Sequence, residues 1–572
     1  MRHTARRSLI VTLAILLVLS TIAVASPEPP RQPNRRLESH WELIRDAMEQ
    51  GLLTSEQALV YSAVALFAPN RLPASLKGEG LGKCGTPILV ELEARWWGLS
   101  PWARETLSEW PVAAGERRLT HAESRPVLSG VEQTLATPHF LLHYTLAGSD
   151  AVANADADSN GVPDYIDAVA QALEHSKAIQ VELLGWLEPP SDAMIDPGSP
   201  SYDVYIQRLP VQGLTFPEIL VGDNEHSPDI VEPFARCSYI VLHSQLDISA
   251  LQVTTAHEYN HAVQFGYNAA TEGFDARRWL MEGTATWMED QVYDEVNDNV
   301  GYLPRLFAAP DRSLTHPDNY YASWLFFQYL EEHLGGHNTI LSVWRQATPH
   351  SGDFSILVLK QALQAGGAEL RSAFTAFCAA NLLLLPCELA PGPFCYDDAL
   401  LYRHKAGVPF LEGSVELAEG EAIYIPSDGV QPLSCDNIRV VSSTSSVAAG
   451  GYAGSDDVDI QGLWVGRSRF SVDIFHFPIL NNPEPPSASV SPSLYDALYI
   501  VVANTTDPTG SPLTSADYGL MFSASELPAS SSTPTATSTV SAAPTPTLTP
   551  TASATPMPTP NRRLWLPVIA RG

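Results

Sequence analysis

The sequence predicts an α+β protein: a helical N-terminal region, a middle region with a sheet lobe and a helical lobe, and a C-terminal β-sandwich. Three observations support this. HFLLHYT (His139 to Thr145) and YDVYIQRL (Tyr202 to Leu209) alternate as strands do, and SYIVLHSQL (Ser238 to Leu246) is a third strand candidate. From Trp279 to about Phe377, apolar residues recur at helical spacing. From about 406 to 526, short apolar runs such as IRVVSS and ALYIVVANT alternate with Gly, Pro, Asn and Asp turns.

Taken in order, residues 1–25 open with Arg2, Arg6 and Arg7. An apolar core from Leu9 to Leu19 follows, then the small-residue site Ala23-Val24-Ala25. That is the pattern of a secretory signal peptide, because the apolar run is too short to span a bilayer. No other segment is long and apolar enough to do so, and a mature chain starting near Ser26 is expected to be secreted or held at the cell surface. Residues 26–132 begin with a Pro- and Arg-rich linker. Trp41, Leu43, Ile44 and Met48 then mark a helix that Gly51 stops. Thr54 caps a second helix, with Gln57 three residues on, and Pro69 ends it. The region reads either as a pro-region or as an ordinary subdomain.

Residues 133–405 hold the strands named above, an amphipathic helix in DYIDAVAQALEHSKAIQVELLG, a motif helix from about Val253, and the later helices. Strands first and helices after make one α+β unit with a cleft between lobes. Residues 406–527 are the β-sandwich. Residues 528–562 are a Pro/Thr/Ser-rich spacer that cannot pack a core. The tail, 563–572, carries an apolar knot from Leu564 to Ile569. It reads either as a surface-attachment element or as an inert end.

Charge narrows the partners. With 33 Lys+Arg against 64 Asp+Glu, the net charge of −31 argues against nucleic acid or an anionic membrane. It suits an extracellular protein that binds Ca²⁺. The six cysteines lack paired C-x-x-C spacing, so disulfides are the default expectation.

The chemistry concentrates in TTAHEYNHAVQFGYN, Thr254 to Asn268. Residues four apart share a helix face, so His257 and His261 can each point one imidazole nitrogen at a single ion. Glu258 then sits beside the ion, placed to take a proton from water. A catalytic zinc needs a third protein ligand and one open position. Downstream, RRWLMEGTATWMED supplies Glu282, far enough away for a second helix to bring it back. Gly283, Thr284 and Ala285 are small and would let the two helices approach.

Asp156 to Asp167, DADSNGVPDYID, follows the EF-hand loop pattern. Asp156, Asp158 and Asn160 take positions 1, 3 and 5, and Gly161 the sharp turn. Val162 offers its carbonyl, Asp164 stands at position 9, and Asp167 closes the loop with a shorter side chain than the usual Glu. A structural Ca²⁺ is expected there.

HEYNH followed by WLMEGTATWMED resembles the gluzincin clan of zinc peptidases, whose aminopeptidase branch carries H-E-x-x-H and W-L-x-E-G-x-A-T. NGVPDYID, YDVYI and YYASWLFFQYL extend the resemblance to a family of secreted bacterial metalloproteases, over roughly residues 135–350. The resemblance implies a zincin-like catalytic domain with zinc on His257, His261 and Glu282, and Glu258 as general base. It also implies an oxyanion-donating tyrosine, Tyr321 or, failing that, Tyr320. Protein or peptide substrates follow. No G-x-M-E-N stretch is present to grip a substrate amine, which disfavours an aminopeptidase against an endopeptidase. Thr286 stands where related enzymes place an acid that orients a zinc histidine, leaving Glu289 and Asp290 as candidates. The intact Glu258 argues against a non-catalytic adhesin on the same scaffold. GKCGTP around Cys84 loosely resembles the cysteine-switch segment of matrix metalloproteases, in which a thiolate occupies zinc's open position. The alternative is a disulfide.

Overall fold

A computed structural model describes residues 39–525, except 109, 111–124, 196–200, 390–391, 428, 456, 470, 481–487 and 511–512. The signal peptide, the linker after it, the Pro/Thr/Ser spacer and the tail lie outside the described residues.

Six strands build the sheet that carries the site: β1 (Gly82–Cys84), β2 (Glu132–Ala136), β3 (Phe140–Thr145), β4 (Tyr202–Gln207), β5 (Val211–Leu220) and β6 (Arg236–His243). Their order is β1-β5-β6-β4-β3-β2. Strands β3, β4 and β6 run parallel to one another; β5 is antiparallel to β6, and β1 lies parallel to β5. Side chains alternate between the faces of a strand. Accordingly Val204, Ile206, Ile240 and Leu242 join one core, while Tyr205, Leu214, Phe216, Tyr239 and Val241 join another. Burial on both faces is why Tyr239 to Leu242 of β6 read as an unbroken apolar run.

The second of those cores belongs to the N-terminal region. Its helices are α1 (His40–Glu49), α2 (Ser55–Phe67), α3 (Thr86–Arg95) and α4 (Pro101–Leu107). The expected hairpin forms, and both of its helices start at capping boxes, Ser39 with Glu42 and Thr54 with Gln57. Ile44, Leu59, Val64, Ile88 and Leu92 pack against the sheet face.

The first core lies on the other face. It gathers α5 (Asp164–Lys177), which continues as a π-helical turn over Ala178–Leu183, then α6 (Ile248–Tyr267) and α7 (Phe274–Val292). Helix α6 starts earlier than Val253 because the Asp247 carboxylate caps Ala250 N–H at 2.9 Å. The later helices complete this core: α8 (Leu303–Ala308), α9 (Trp324–His333), α10 (His337–Ala347), α11 (Ser355–Ala365), α12 (Leu370–Leu383) and α13 (Ala399–Ala406).

Residues 413–525 form nine strands: β7 (Gly413–Leu417), β8 (Ala422–Pro426), β9 (Ser434–Ser442), β10 (Ser446–Ala453), β11 (Ile460–Arg467), β12 (Val472–Leu480), β13 (Ala488–Val490), β14 (Ala497–Asn504) and β15 (Tyr518–Ser525). They pair in the order β7-β9-β14-β11-β12-β10-β15-β8, with β13 beside β10. The two halves of this path meet in a short parallel pairing, Gly451 with Ile479 and Tyr452 with Leu480. Trp464 of β11 and Phe522 of β15 share the core between them. Leu463 and Val465, alternating with Trp464, join the main core together with residues of α12.

The cysteine expectation needs correction. Cys387 and Cys395 are bridged, but Cys84, Cys237, Cys378 and Cys435 are buried free thiols. Among the described residues no helix is long and apolar enough to cross a membrane.

Candidate metal centre

Helices α6 and α7 pack side by side and bring His257, His261 and Glu282 together with Cys84 from the end of β1. One donor atom from each lies within 4.8 Å of all the others. His257 Nε2 stands 3.4 Å from Glu282 Oε2, and His261 Nε2 stands 3.7 Å from Glu282 Oε1. Ligands about 2.1 Å from a tetrahedral centre stand roughly 3.4 Å apart. These separations fit one ion between the three side chains.

The state of those atoms also fits. His257, His261 and Glu282 are completely buried, yet His257 Nε2, His261 Nε2 and both Glu282 oxygens have no hydrogen-bond partner. Buried polar groups left unpaired are costly, and a cation is the partner that imidazole lone pairs and a carboxylate share. The nitrogen, oxygen and sulfur donors are those that zinc takes.

Each histidine is oriented from behind. His257 Nδ1 lies 2.7 Å from Glu289 Oε1, and His261 Nδ1 lies 2.9 Å from Gln264 Oε1. Both partners accept, so both Nδ1 atoms carry protons and Nε2 is the atom each imidazole leaves for an ion. Gln264 is itself fixed, its amide donating to Asn260 Oδ1 at 2.7 Å and the Met281 carbonyl at 3.0 Å. Of the two candidate acids, then, Glu289 orients the histidine. Asp290 instead accepts from Asn299. Thr286 is buried and its hydroxyl makes no hydrogen bond. Gln264 escaped the sequence reading, although its spacing of three from His261 places it on the same helix face.

Burial works against charge on His257, but Glu282 and Glu289 outweigh it and lift its pKa to about 9. Burial and the neighbouring His257 push His261 down to about 4. An arriving metal therefore displaces a proton from His257 and finds His261 already neutral.

Glu258 is fully buried beside the donors. Its Oε2 accepts from Thr86 Oγ1 at 3.1 Å and lies 2.9 Å from Thr215 Oγ1, while Oε1 has no partner. Burial pushes its carboxyl up, against the opposing charge of His257. Gly213 of β5 permits this approach: a Cβ there would stand 2.8 Å from Glu258 Cγ. Neither Thr86 nor Thr215 carried a signal in the sequence.

Tyr321 precedes α9, and its ring centroid lies 6.2 Å from that of His257. Burial and the charge of Glu282 push its phenol well above the ordinary value, so the hydroxyl stays protonated. Tyr320 turns away, its hydroxyl 3.4 Å from the Asp275 carbonyl and its ring under Arg278. The role expected of the small residues is corrected at Gly283. A Cβ there would stand 2.2 Å from Ser323 Oγ and 2.8 Å from Phe327, so this glycine admits the segment leading into α9 rather than α6. Thr284 does meet α6, lying 3.0 Å from Gln264 Nε2.

In the second candidate site, Asp156, Asp158 and Asp164 bring one oxygen each within 4.8 Å of the others, all exposed. Gly161 takes the turn with φ +88°. Asn160 Nδ2 donates to Asp158 and Asp167, and Asn160 Oδ1 accepts from Val162 N–H at 2.7 Å.

A family model described as a family of unknown function (DUF6055) matches residues 241–379. The match spans His257, Glu258, His261, Glu282, Glu289 and Tyr321, and leaves out Cys84 and the Asp156 loop. No curated protein matches the chain.

Proposed function

We propose that the protein is a secreted zinc-dependent endopeptidase. The observation that carries this reading is the convergence of unpaired donor atoms from His257, His261 and Glu282 next to a buried, partly free Glu258. When bound there, zinc supplies Lewis-acid activation of water and of a peptide carbonyl. Glu258, with Oε2 held by Thr215 and Oε1 free, takes the proton from the attacking water and passes it to the leaving amine. Tyr321 donates its hydroxyl to the oxyanion. Glu289 and Gln264 keep the two imidazoles in the ligating tautomer.

On this reading residues 133–405 form a zincin-like domain of sheet and helical lobes, and 413–525 a β-sandwich accessory domain. The Asp156–Asp167 loop holds a structural Ca²⁺. The signal-like N-terminus and the acidic composition support a location outside the cell and protein or peptide substrates, and the apolar tail is either a surface-attachment element or an inert end.

The test is Glu258→Gln, which keeps size and hydrogen bonding but cannot take up a proton. Zinc content should stay at the wild-type level while casein cleavage falls by about 10²-fold or more. Wild-type cleavage by this variant would refute the assigned role.

A further inference from the structure

We infer that the N-terminal region is a built-in inhibitor of the metal site. Cys84 Sγ is the fourth ligand, and β1 occupies the edge where an extended peptide substrate pairs with β5. The inference rests on the endopeptidase reading for the identity of the substrate, but not for the ligand.

Two independent observations converge on it. The first is the donor set. Cys84 is buried with its sulfur in the same 4.8 Å cluster as His257, His261 and Glu282, whose facing atoms lack partners. Three protein ligands leave a tetrahedral ion one open position, the position a catalytic site must keep for water or substrate. A thiolate there closes it. Ligation is by the thiolate, so the thiol proton passes to solvent when the ion binds.

The second is the backbone. Strand β1 pairs with β5 in register, Gly82 with Val211 and Cys84 with Gly213. Gly82 N–H donates to the Pro210 carbonyl and Gly85 N–H to the Gly213 carbonyl, each at 3.0 Å. Without β1, β5 would be the edge strand of the sheet, and Gly213 packs directly on Glu258. An exposed strand edge beside a metal is a template for an extended peptide, held by main-chain hydrogen bonds. Here that template is already filled by the chain itself.

The residues around Cys84 engage the rest of the machinery. Lys83 Nζ lies 3.0 Å from Glu289 Oε2, and Thr86 Oγ1 donates to Glu258 Oε2. Lys83, Cys84 and Thr86 thus meet the histidine-orienting acid, the ion position and the general base. The helices α1 to α4 hold them there through the core they share with β4, β5 and β6. The full chain is therefore held to a fraction of its activity, and it opens fully when this segment is displaced.

The test uses the full chain loaded with Co²⁺ in place of zinc. Wild type should show a thiolate-to-cobalt charge-transfer band in the near ultraviolet. C84S should bind one Co²⁺ without that band. In wild type, zinc should protect Cys84 from iodoacetamide, a readout that needs no variant. With zinc, C84S should hydrolyse an internally quenched peptide about tenfold faster or more than wild type, because the fourth position is free and β1, no longer tied to the ion, is held on β5 by main-chain hydrogen bonds that a peptide can replace. A cobalt-loaded wild type without the band, or Cys84 alkylated equally with and without zinc, overturns the ligand. Equal, measurable hydrolysis by both proteins overturns the latency. A band with no hydrolysis by either protein upholds thiolate ligation and overturns the endopeptidase reading instead.

Discussion

At the scale of the residue, the proton between His257 and Glu289 governs how well an ion is held. The Glu289 carboxylate holds the imidazole in one tautomer and makes Nε2 more basic, and Lys83 fixes the carboxylate in turn. Glu289→Gln keeps an oxygen for His257 Nδ1 but removes the charge, and Lys83 retains its pairing with Asp298. Metal affinity should fall about 10- to 100-fold, measured by competition with a chelator of known affinity. Affinity equal to wild type would mean that Glu289 only packs. His257, Glu258 and His261 were legible in the sequence because a helix repeats its face every three to four residues. Glu282 was legible from its small neighbours, but what they admit was not. The sequence shows that something comes close to Gly283, and only the packing identifies it as Ser323 and Phe327.

At the scale of the element, the start of α5 depends on a loop of crowded carboxylates. Asp156, Asp158 and Asp164 converge on one another, and Ile166, Val169 and Leu173 of α5 pack in the core with residues of α6. Calcium would offset the mutual repulsion and pin the helix to its loop. Zinc-loaded, calcium-free protein should melt higher when Ca²⁺ is added, by the equivalent of ~2.7 kcal/mol at a hundredfold excess over Kd. Asp158→Asn should blunt the rise. A melt indifferent to Ca²⁺ removes the site. The convergence of these three carboxylates was readable because they lie close together in the chain. The long-range elements were not. Strands β3, β4 and β6 announce themselves through β-branched and aromatic runs, whereas β5, which lies against Glu258, is interrupted by Gly213 and Pro217. β1 spans only Gly82–Cys84 and forms because β5 offers it an edge, a property of the partner rather than of its own residues. For that reason the route by which Cys84 reaches the ion position could not be read from spacing.

At the scale of the whole molecule, a chain of net charge −31 must manage its carboxylates, and Asp436 on β9 shows the cost. It is 2% exposed and accepts from Tyr518 Oη at 2.6 Å and from Ser427 Oγ at 3.3 Å. Burial pushes its carboxyl up to about 7, with Glu412 and Asp311 adding to the shift and the two hydrogen bonds opposing it. In the unfolded chain the same group titrates near 3.9. Between those values the folded protein keeps a proton that the unfolded chain has released, so stability declines as pH rises through that window. A displacement of that size is worth on the order of 4 kcal/mol. Growing negative charge over the rest of the molecule adds self-repulsion in the same direction. Asn in place of Asp436 keeps an oxygen for the Tyr518 hydroxyl and cannot ionise. Wild type should therefore lose thermal stability from about pH 4 to about pH 7, while Asp436→Asn loses less and melts higher than wild type at the upper end. Parallel pH profiles for the two proteins would assign the decline to groups other than Asp436.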